Sequence, residues 1–267
     1  MDDGRSPAKD RPASIVNNPL TYDIEPRNLR KSSGDHQVLR GVNLKVPKGK
    51  TFVIVGPSGC GKSVFLKHIV ALLTADSGEM IVLGKKITEL PSPELLELRR
   101  HVGMVFQSSG LLNSLTVEEN VALGLAEFKE KSPEEIQQIV NEKLALVEMA
   151  NTNHLLPEEL SGGMRKRVAV ARTLALGPEI ILFDEPTVGL DPLLSTNVDE
   201  LILGLKEKVG CTNVVVTHDL ITAFRVADQI GMFHEGTITA LGSPEEFRNS
   251  TEPVVKEFIA RNREFKI

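Results

Sequence analysis

A glycine-rich octapeptide constrains the fold of this 267-residue chain more than any other segment. It lies between TFVIV (51–55), a predicted strand, and VFLKHIVALL (64–73), whose periodicity predicts a helix. The pattern is G-x-x-x-x-G-K-S, in which backbone N–H groups and a helix N-terminus can surround a phosphate. The eight residues are Gly56, Pro57, Ser58, Gly59, Cys60, Gly61, Lys62 and Ser63. The strand–loop–helix context favours a phosphate-binding loop over a chance glycine-rich turn.

This loop predicts specific contacts to a nucleoside triphosphate and its magnesium ion. Lys62 is expected to reach the β- and γ-phosphates, and the Ser63 hydroxyl is expected to ligate Mg²⁺. The remaining loop residues and Val64 complete the predicted nucleotide-binding segment.

A second motif places two acids directly after an apolar strand. Ile180 to Phe183 are all apolar, and Asp184 and Glu185 follow them. Such a strand delivers charge to the carboxyl edge of a parallel sheet, where ligands bind. Asp184 is expected to hold Mg²⁺, and Glu185 to orient or deprotonate the attacking water. The alternative, a strand followed by a solvated loop, is weakened by the presence of the phosphate loop.

A third motif, LSGGM (160–164), opens a predicted helix. A Ser-Gly-Gly entry offers a hydroxyl and free N–H groups to an anion. Arg165, Lys166 and Arg167 oppose the helix dipole in the first turn, which indicates negative charge nearby. The alternative is a plain helix N-cap followed by a solvated basic face.

Gln107 and His218 each follow a predicted strand, at 104–106 and 214–217. Both side chains can therefore reach the sheet edge that carries the acids. Taken singly, a histidine at this position is more often a hydrogen-bonded loop residue.

The order of these motifs, with Gly189-Leu190-Asp191 and a helical insert between Gln107 and LSGGM, resembles the ABC ATPase family over residues 22–248. The resemblance implies an α/β fold with a P-loop (RecA-like) core of mostly parallel strands, an N-terminal antiparallel β portion and a helical subdomain. We expect a mobile tail over 1–18, the ATPase domain over 19–248 with the subdomain at about 108–165, and a C-terminal helical extension over 249–267.

The resemblance also implies roles for residues that are weak signals alone. Gln107 would contact Mg²⁺ or water and sense a transmembrane partner, and His218 would steady the γ-phosphate and the water. Asp191 would lie at a dimer interface between two copies. The residues that would bind ATP held by the other copy are Ser161, Gly162 and Gly163. ATP and Mg²⁺ are the implied cofactors.

Finer features look like the Mla-type branch, whose ATPases serve phospholipid transporters with Mce-domain partners. They are Met164 in place of the usual Gln, the stretch 107–120, and the segment 250–258. This branch implies transport of phospholipid or a similar hydrophobic substrate through a separate permease, with the ATPase at the cytoplasmic face of the inner membrane. Transport of another solute is the alternative, and the sequence leaves a small regulatory subunit open.

Composition and motifs argue against several other classes of protein. The net charge is −5, Trp is absent and Tyr22 is the single tyrosine, which argues against a nucleic-acid binder. Cys60 and Cys211 suggest neither a disulfide framework nor a zinc site. We expect no signal peptide and no transmembrane helix, so a partner would span the membrane. Zinc cysteines and long coiled-coil inserts, typical of soluble relatives that act on DNA or ribosomes, are not seen. Intact Lys62 and Glu185 argue against a non-hydrolysing subunit.

Two positions generate hypotheses about nucleotide binding. Ser33 stands where the family commonly has an aromatic residue that stacks on adenine, so we expect weaker adenine selectivity unless Arg30 or His36 substitutes. Cys60 lies inside the phosphate loop, so its alkylation should block nucleotide binding.

Overall fold

The computed structural model describes residues 21–264. The tail predicted over 1–18 and the last three residues of the predicted C-terminal extension lie outside this range. The described chain folds around two β-sheets, one antiparallel and one mostly parallel, flanked by helices.

The antiparallel sheet is built near the N-terminus. Its central strand pairs with three others, and a short hairpin strand extends one edge. Its strands are β1 (Tyr22–Ser33), β2 (His36–Val42), β3 (Val46–Pro47), β5 (Ser77–Val82) and β6 (Lys85–Lys86).

The second sheet has the strand order β11-β10-β4-β9-β8-β7. Its five strands from β10 to β7 run parallel, and β11 pairs antiparallel with β10. The predicted α/β fold with mostly parallel core strands and an antiparallel N-terminal portion is confirmed. The strands of this sheet are β4 (Thr51–Val55), β7 (Val102–Val105), β8 (Ile180–Asp184), β9 (Thr212–Thr217), β10 (Gln229–His234) and β11 (Thr237–Gly242).

Helices connect the strands and fill the long segment between β7 and β8. The sequence SPEE (132–135) predicts a capping box between Ser132 and Glu135, and it is present; Thr116 with Glu119 forms a second one. The described helices are α1 (Lys62–Ile69), α2 (Ser92–His101), α3 (Val117–Phe128), α4 (Pro133–Leu146), α5 (Gly162–Leu174), α6 (Pro192–Val209), α7 (Leu220–Val226), α8 (Pro244–Arg248) and α9 (Pro253–Glu264).

The parallel sheet is buried on both faces, which explains why β4 and β8 are continuous apolar runs. Successive side chains of β4 alternate between two cores: Val53 and Val55 face one, and Phe52 and Ile54 face the other. The first core includes the helices between β7 and β8, and the second is shared with the antiparallel sheet and α1. Polar residues therefore follow these strands at the carboxyl edge of the sheet.

The apolar alternation of VNLKV (42–46) predicts a continuous strand, and this prediction is wrong. Val42 ends β2 and Val46 begins β3, but residues 43–45 form no strand. The Asn43 side chain accepts a hydrogen bond from the Asn28 backbone N–H at 2.9 Å and donates to the Gly41 carbonyl at 3.0 Å. These side-chain bonds replace the ladder at this point.

The first helix is shorter than its apolar periodicity predicts. It ends at Ile69, and Ala71 adopts the left-handed conformation with φ of 52°. The N–H of Leu72 returns to the carbonyl of Lys67 at 2.8 Å, which closes the helix end. Glycine usually occupies such a position because a Cβ is strained there.

We expect Ala71→Gly to stabilise the protein by about 1 kcal/mol, because the left-handed conformation is unfavourable for an L-residue with a side chain. Chemical denaturation followed by circular dichroism measures the change. Ala75→Gly is the matched control, since Ala75 is not among the positive-φ residues, and it should destabilise the fold or leave it unchanged. Loss of stability in Ala71→Gly would contradict the strain.

Candidate functional site

Four parallel strands bring the predicted site residues to one edge of the sheet. The strands β4, β9, β8 and β7 are neighbours and share a direction. Gly56 follows β4, His218 follows β9, Glu185 follows β8, and Gln107 lies two residues beyond β7. Their carboxyl ends therefore converge although the residues lie far apart in sequence.

The phosphate loop occupies the turn between β4 and α1, and two of its glycines are required by geometry. A Cβ at Gly56 would lie 2.3 Å from the Phe233 carbonyl oxygen, and Gly61 has φ of 110°. The Lys62 ammonium is 5% exposed and donates to the carbonyls of Gly56 at 2.8 Å and Pro57 at 3.0 Å. The loop thus holds a nearly buried cation directly at the helix N-terminus, where an anion is favoured.

An oxygen-rich set suited to magnesium lies beside this lysine. The Ser63 hydroxyl donates to Asp184 Oδ1 at 2.7 Å, and Asp184 is 7% exposed. Gln107 lines the same cavity as Lys62 and Ser63. Hydroxyl, carboxylate and amide oxygens are the hard ligands that Mg²⁺ prefers, so these residues fit that cation.

Glu185 and His218 form a hydrogen-bonded pair beside Lys62. His218 Nδ1 lies 2.9 Å from Glu185 Oε2, and the His218 backbone N–H donates to the same oxygen at 3.3 Å. Glu185 Oε1 lies 3.6 Å from the Lys62 ammonium. Glu185 has φ of 46° and its N–H donates to the Val216 carbonyl at 2.9 Å, which holds its turn against β9.

Lys62, Ser63, Gln107, Glu185 and His218 line one cavity of about 630 Å³, a volume typical of small-molecule sites. Asp184 is joined to this set by its hydrogen bond with Ser63. Ser33, His36 and Val38 from β1 and β2 also line it, whereas Arg30 does not. Of the two substitutes predicted for the missing aromatic residue, the structure brings only His36 to the cavity.

The residues of the LSGGM motif (160–164) are not part of this cavity lining. Ser161 caps α5 and accepts the Met164 N–H at 3.2 Å. A Cβ on Gly162 would lie 3.2 Å from Leu190, beside the exposed Asp191 that caps α6. Ser161, Gly162, Gly163 and Asp191 are absent from the cavity lining formed by residues 21–264. Gly162 is therefore close to the Leu190–Asp191 segment and lies outside the lining of this cavity.

The basic first turn of α5 is not a solvated face. Arg165 donates to the Leu160 carbonyl at 2.5 Å, and Arg167 donates to the Val147 carbonyl at 2.9 Å and to Glu148 at 2.6 Å. These carbonyls and one carboxylate are the negative groups that offset the opposed helix dipole.

Two cations on α5 hold the segment after β7, which the sequence did not indicate. Lys166 is 5% exposed and donates to the Gln107 carbonyl, and burial lowers the pKa of its ammonium. Arg172 donates to the carbonyls of Ser109 at 2.9 Å and Gly110 at 2.6 Å, and burial lowers its pKa. The helix that begins at Ser161 is thereby tied to the segment that carries Gln107.

Comparison with known proteins decides the family. The sequence profile described as "ABC transporter" matches residues 39–188, more than half of the chain. The chain belongs to the ABC transporter ATPase family. It is the ATP-binding subunit of an ABC transporter and an ABC-type ATPase. The resemblance inferred from its motifs is confirmed.

Curated relatives have several named substrates. The probable ribonucleotide transport ATP-binding protein Mkl of Mycobacterium tuberculosis is 40% identical over 251 residues, covering 94% of this chain and 70% of that protein. The intermembrane phospholipid transport system ATP-binding protein MlaF of Haemophilus influenzae is 38% identical, with coverages of 88% and 89%. The L-cystine import ATP-binding protein TcyN of Bacillus subtilis is 39% identical, with coverages of 89% and 93%.

A solved structure supports the same family. The dimeric post-hydrolysis state of the ATP-binding cassette MJ0796, bound to ADP and Pi, is 35% identical with a TM-score of 0.76. The alignment covers 83% of this chain and 98% of the MJ0796 chain. ABC ATPase cassettes dimerise and pair with membrane permease components.

Cys60 of this ABC ATPase is half-buried within the phosphate loop. Burial raises the pKa of its thiol, and the nearby Lys62 ammonium partly offsets this effect. Cys211 is 3% exposed, and burial raises its pKa to about 11. We therefore expect both thiols to react slowly near neutral pH, and Cys60 is the more exposed of the two.

We expect maleimide to modify Cys60 faster as pH rises from 7 to 9, because the thiolate is the reactive form. Modification should abolish ATP binding, and saturating ATP should slow it. Mass spectrometry and fluorescent-nucleotide binding measure the two effects. Cys211→Ser is the matched control and should behave as the parent protein. Full ATP binding after complete Cys60 modification would refute the steric account.

Proposed function

We propose that the cavity binds MgATP and that Glu185 activates the attacking water. The observation that carries this proposal is the convergence of Lys62, Asp184, Glu185 and His218 at one sheet edge, with three of the four nearly buried. ATP phosphates would replace the carbonyl contacts of Lys62, drawing its ammonium toward the γ-phosphate. Glu185 would then be released from the 3.6 Å ion pair and could accept a proton from water.

His218 is proposed to fix the orientation of Glu185 during this step. Its backbone N–H and ring nitrogen both contact Glu185 Oε2, which leaves Oε1 to face the nucleotide. The half-exposed imidazole could contact the γ-phosphate as well.

Ser63, Asp184 and Gln107 would hold Mg²⁺ next to the phosphates. The cation would neutralise phosphate charge and help to align the γ-phosphoryl group. Ser63 and Asp184 already lie within hydrogen-bond distance of each other, so little rearrangement is required.

A second copy is proposed to complete each site. Ser161, Gly162 and Gly163 do not line the cavity of their own chain, yet they stand at a helix N-terminus, which is suited to phosphate. Asp191 lies beside them and would form part of the contact between copies. ATP binding would therefore close two subunits, and hydrolysis would release them.

Two substitutions separate binding from hydrolysis. Glu185→Gln should bind ATP and remain dimeric while turnover falls by at least about 100-fold, because the amide cannot accept the proton. Lys62→Ala should lose ATP binding or turnover. Phosphate release and light scattering measure these effects.

Glu127→Gln, on the exposed face of α3, is the control and should retain turnover. Near-normal turnover in Glu185→Gln or Lys62→Ala would contradict the assigned roles.

We propose that Ser33 weakens base selectivity because it cannot stack on adenine. Ser33→Tyr should lower the Kd for ATP by roughly 5- to 150-fold, since base–aromatic stacking contributes about 1–3 kcal/mol. Calorimetry with ATP and GTP measures the change. Ser32→Tyr is the control because neighbouring strand residues point to opposite faces, and Ser32 N–H bonds Asp76. An already strong ATP-over-GTP preference in the parent protein would count against this proposal.

We further propose that the transported substrate is phospholipid or a similar hydrophobic molecule. This rests on the segment 107–120, on Met164 and on the similarity to MlaF. Among residues 21–264, no helix is both long and apolar enough to cross a bilayer. The proposed arrangement is an ATPase held at the cytoplasmic face of the inner membrane by its permease, with an Mce-domain lipid-binding protein. A small regulatory subunit could also bind the ATPase. Import of another solute is the second candidate, favoured by the similarity to TcyN.

A detergent-solubilised pulldown of the tagged native protein, with mass spectrometry of its partners, tests this assignment. A permease recovered with an Mce-domain protein is the expected result. A permease recovered with a solute-binding protein would overturn the lipid assignment. Recovery of DNA or ribosomes would overturn the transport role.

A further inference from the structure

Asp199 is a buried carboxylate on the apolar face of α6. It is 1% exposed and lies on the same face as Val198 and Ile202, which belong to the core. Its Oδ1 has no hydrogen-bond partner among the described residues. A packed apolar side chain at this position would avoid the desolvation of a carboxylate. The acid therefore requires an explanation other than stability.

A chain of buried hydroxyls begins at this carboxylate. A hydrogen bond from Thr222 of α7 lowers the pKa of Asp199, and the Thr222 Oγ1 lies 3.4 Å from the Oγ1 of Thr187. Thr222 is fully buried and Thr187 is 6% exposed. Hydrogen bonds between groups with so little exposed surface are stronger than those in water.

The hydroxyl chain joins the two segments that carry the Glu185–His218 pair. Thr187 lies two residues after Glu185, and Thr222 lies in the helix that follows His218. Asp199, Thr187, Thr222 and His218 line a cavity of about 660 Å³, which shares His218 with the candidate nucleotide site. The Asp199 carboxylate thus lines a second cavity that adjoins the proposed catalytic pair at His218.

We propose that Asp199 is a positioning residue for hydrolysis, acting through Thr222 and Thr187 to hold the Glu185 turn against the His218 segment. An ionised carboxylate only accepts hydrogen bonds, so the Thr222 proton must point toward Asp199. The Thr222 oxygen is then left to accept from Thr187. One charge thereby sets the direction of both hydrogen bonds. This inference rests on the proposed roles of Glu185 and His218.

The charge of Asp199 opposes stability while serving position. Burial raises its pKa to about 6; the Thr222 hydrogen bond and Arg225 lower it, and Asp219 and Glu200 raise it. Because the folded pKa exceeds the ordinary value, the destabilisation is absent at low pH and grows as pH rises, reaching its full extent above about 6. The charge that orients the hydroxyl chain is lost as pH falls through the same range.

The test is a comparison of Asp199→Leu, Thr222→Val and the double variant. Each single variant should lower kcat by about 10-fold with an unchanged KM for ATP, and the double variant should be no worse than either. Asp199→Leu should also have a higher Tm than the parent at pH 7.5, with a smaller gain at pH 5. A residue that serves only to support the fold would lower Tm and kcat together.

Two conservative variants sharpen the result. Thr222→Ser keeps the hydroxyl and should restore most of kcat. Asp199→Asn keeps an acceptor, so its kcat should not show the decline that the parent shows as pH falls through about 6. Glu207→Gln, at an exposed position of the same helix, is the matched control and should keep the parent's kcat.

Parent-like kcat in Asp199→Leu, or additive losses in the double variant, would overturn the inference. Glu185→Gln, measured in parallel, separates this outcome from failure of the proposed function. If Glu185→Gln is inactive while Asp199→Leu is unaffected, only the positioning role fails. If Glu185→Gln is active, the proposed mechanism itself fails.

Discussion

The hydrogen-bond register of β4, β9 and β8 is the constraint on which the rest of the site depends. Val55 pairs with Thr217, and Val216 pairs with Asp184. This register places the phosphate loop, His218 and Glu185 side by side at the sheet edge. A shift of one residue in β8 would turn Asp184 toward the opposite face of the sheet.

The double burial of the sheet gives these charged groups their environment. Both faces of β4, β8 and β9 are covered by apolar cores, so Lys62, Asp184 and Glu185 emerge where little water is present. Electrostatic interactions are stronger in such surroundings. The Lys62 ammonium lies 3.6 Å from Glu185 Oε1, so the proposed mechanism begins by separating these two charges. In that mechanism an arriving anion would change the position of both.

Local signals in the sequence predicted much of this arrangement. The strand–loop–helix around residues 56–63, the acidic strand end and the capping box at Ser132 depend on neighbouring residues, and the structure contains all three as predicted. The break at 43–45 was missed because the Asn43 side chain bonds to Asn28, which is distant in sequence. The early end of α1 was missed because alanine rarely adopts a positive φ.

The interactions that could not be predicted join distant segments. Lys166 reaches a carbonyl 59 residues away, and its place in the first helical turn indicated a negative partner without indicating which one. Asp199 reads as one acid on an amphipathic helix, and only the packing of α6 against α7 shows that it is buried. The same limit applies to the second copy, since Ser161 lies outside the cavity of its own chain. Folding must be known before these contacts can be assigned.

A structure of the Glu185→Gln variant with MgATP tests the central claim most directly. We predict two copies that enclose two nucleotides, each contacted by the phosphate loop of one copy and by Ser161 of the other. A nucleotide held by one copy alone, with Ser161 of both copies exposed to solvent, would contradict the account.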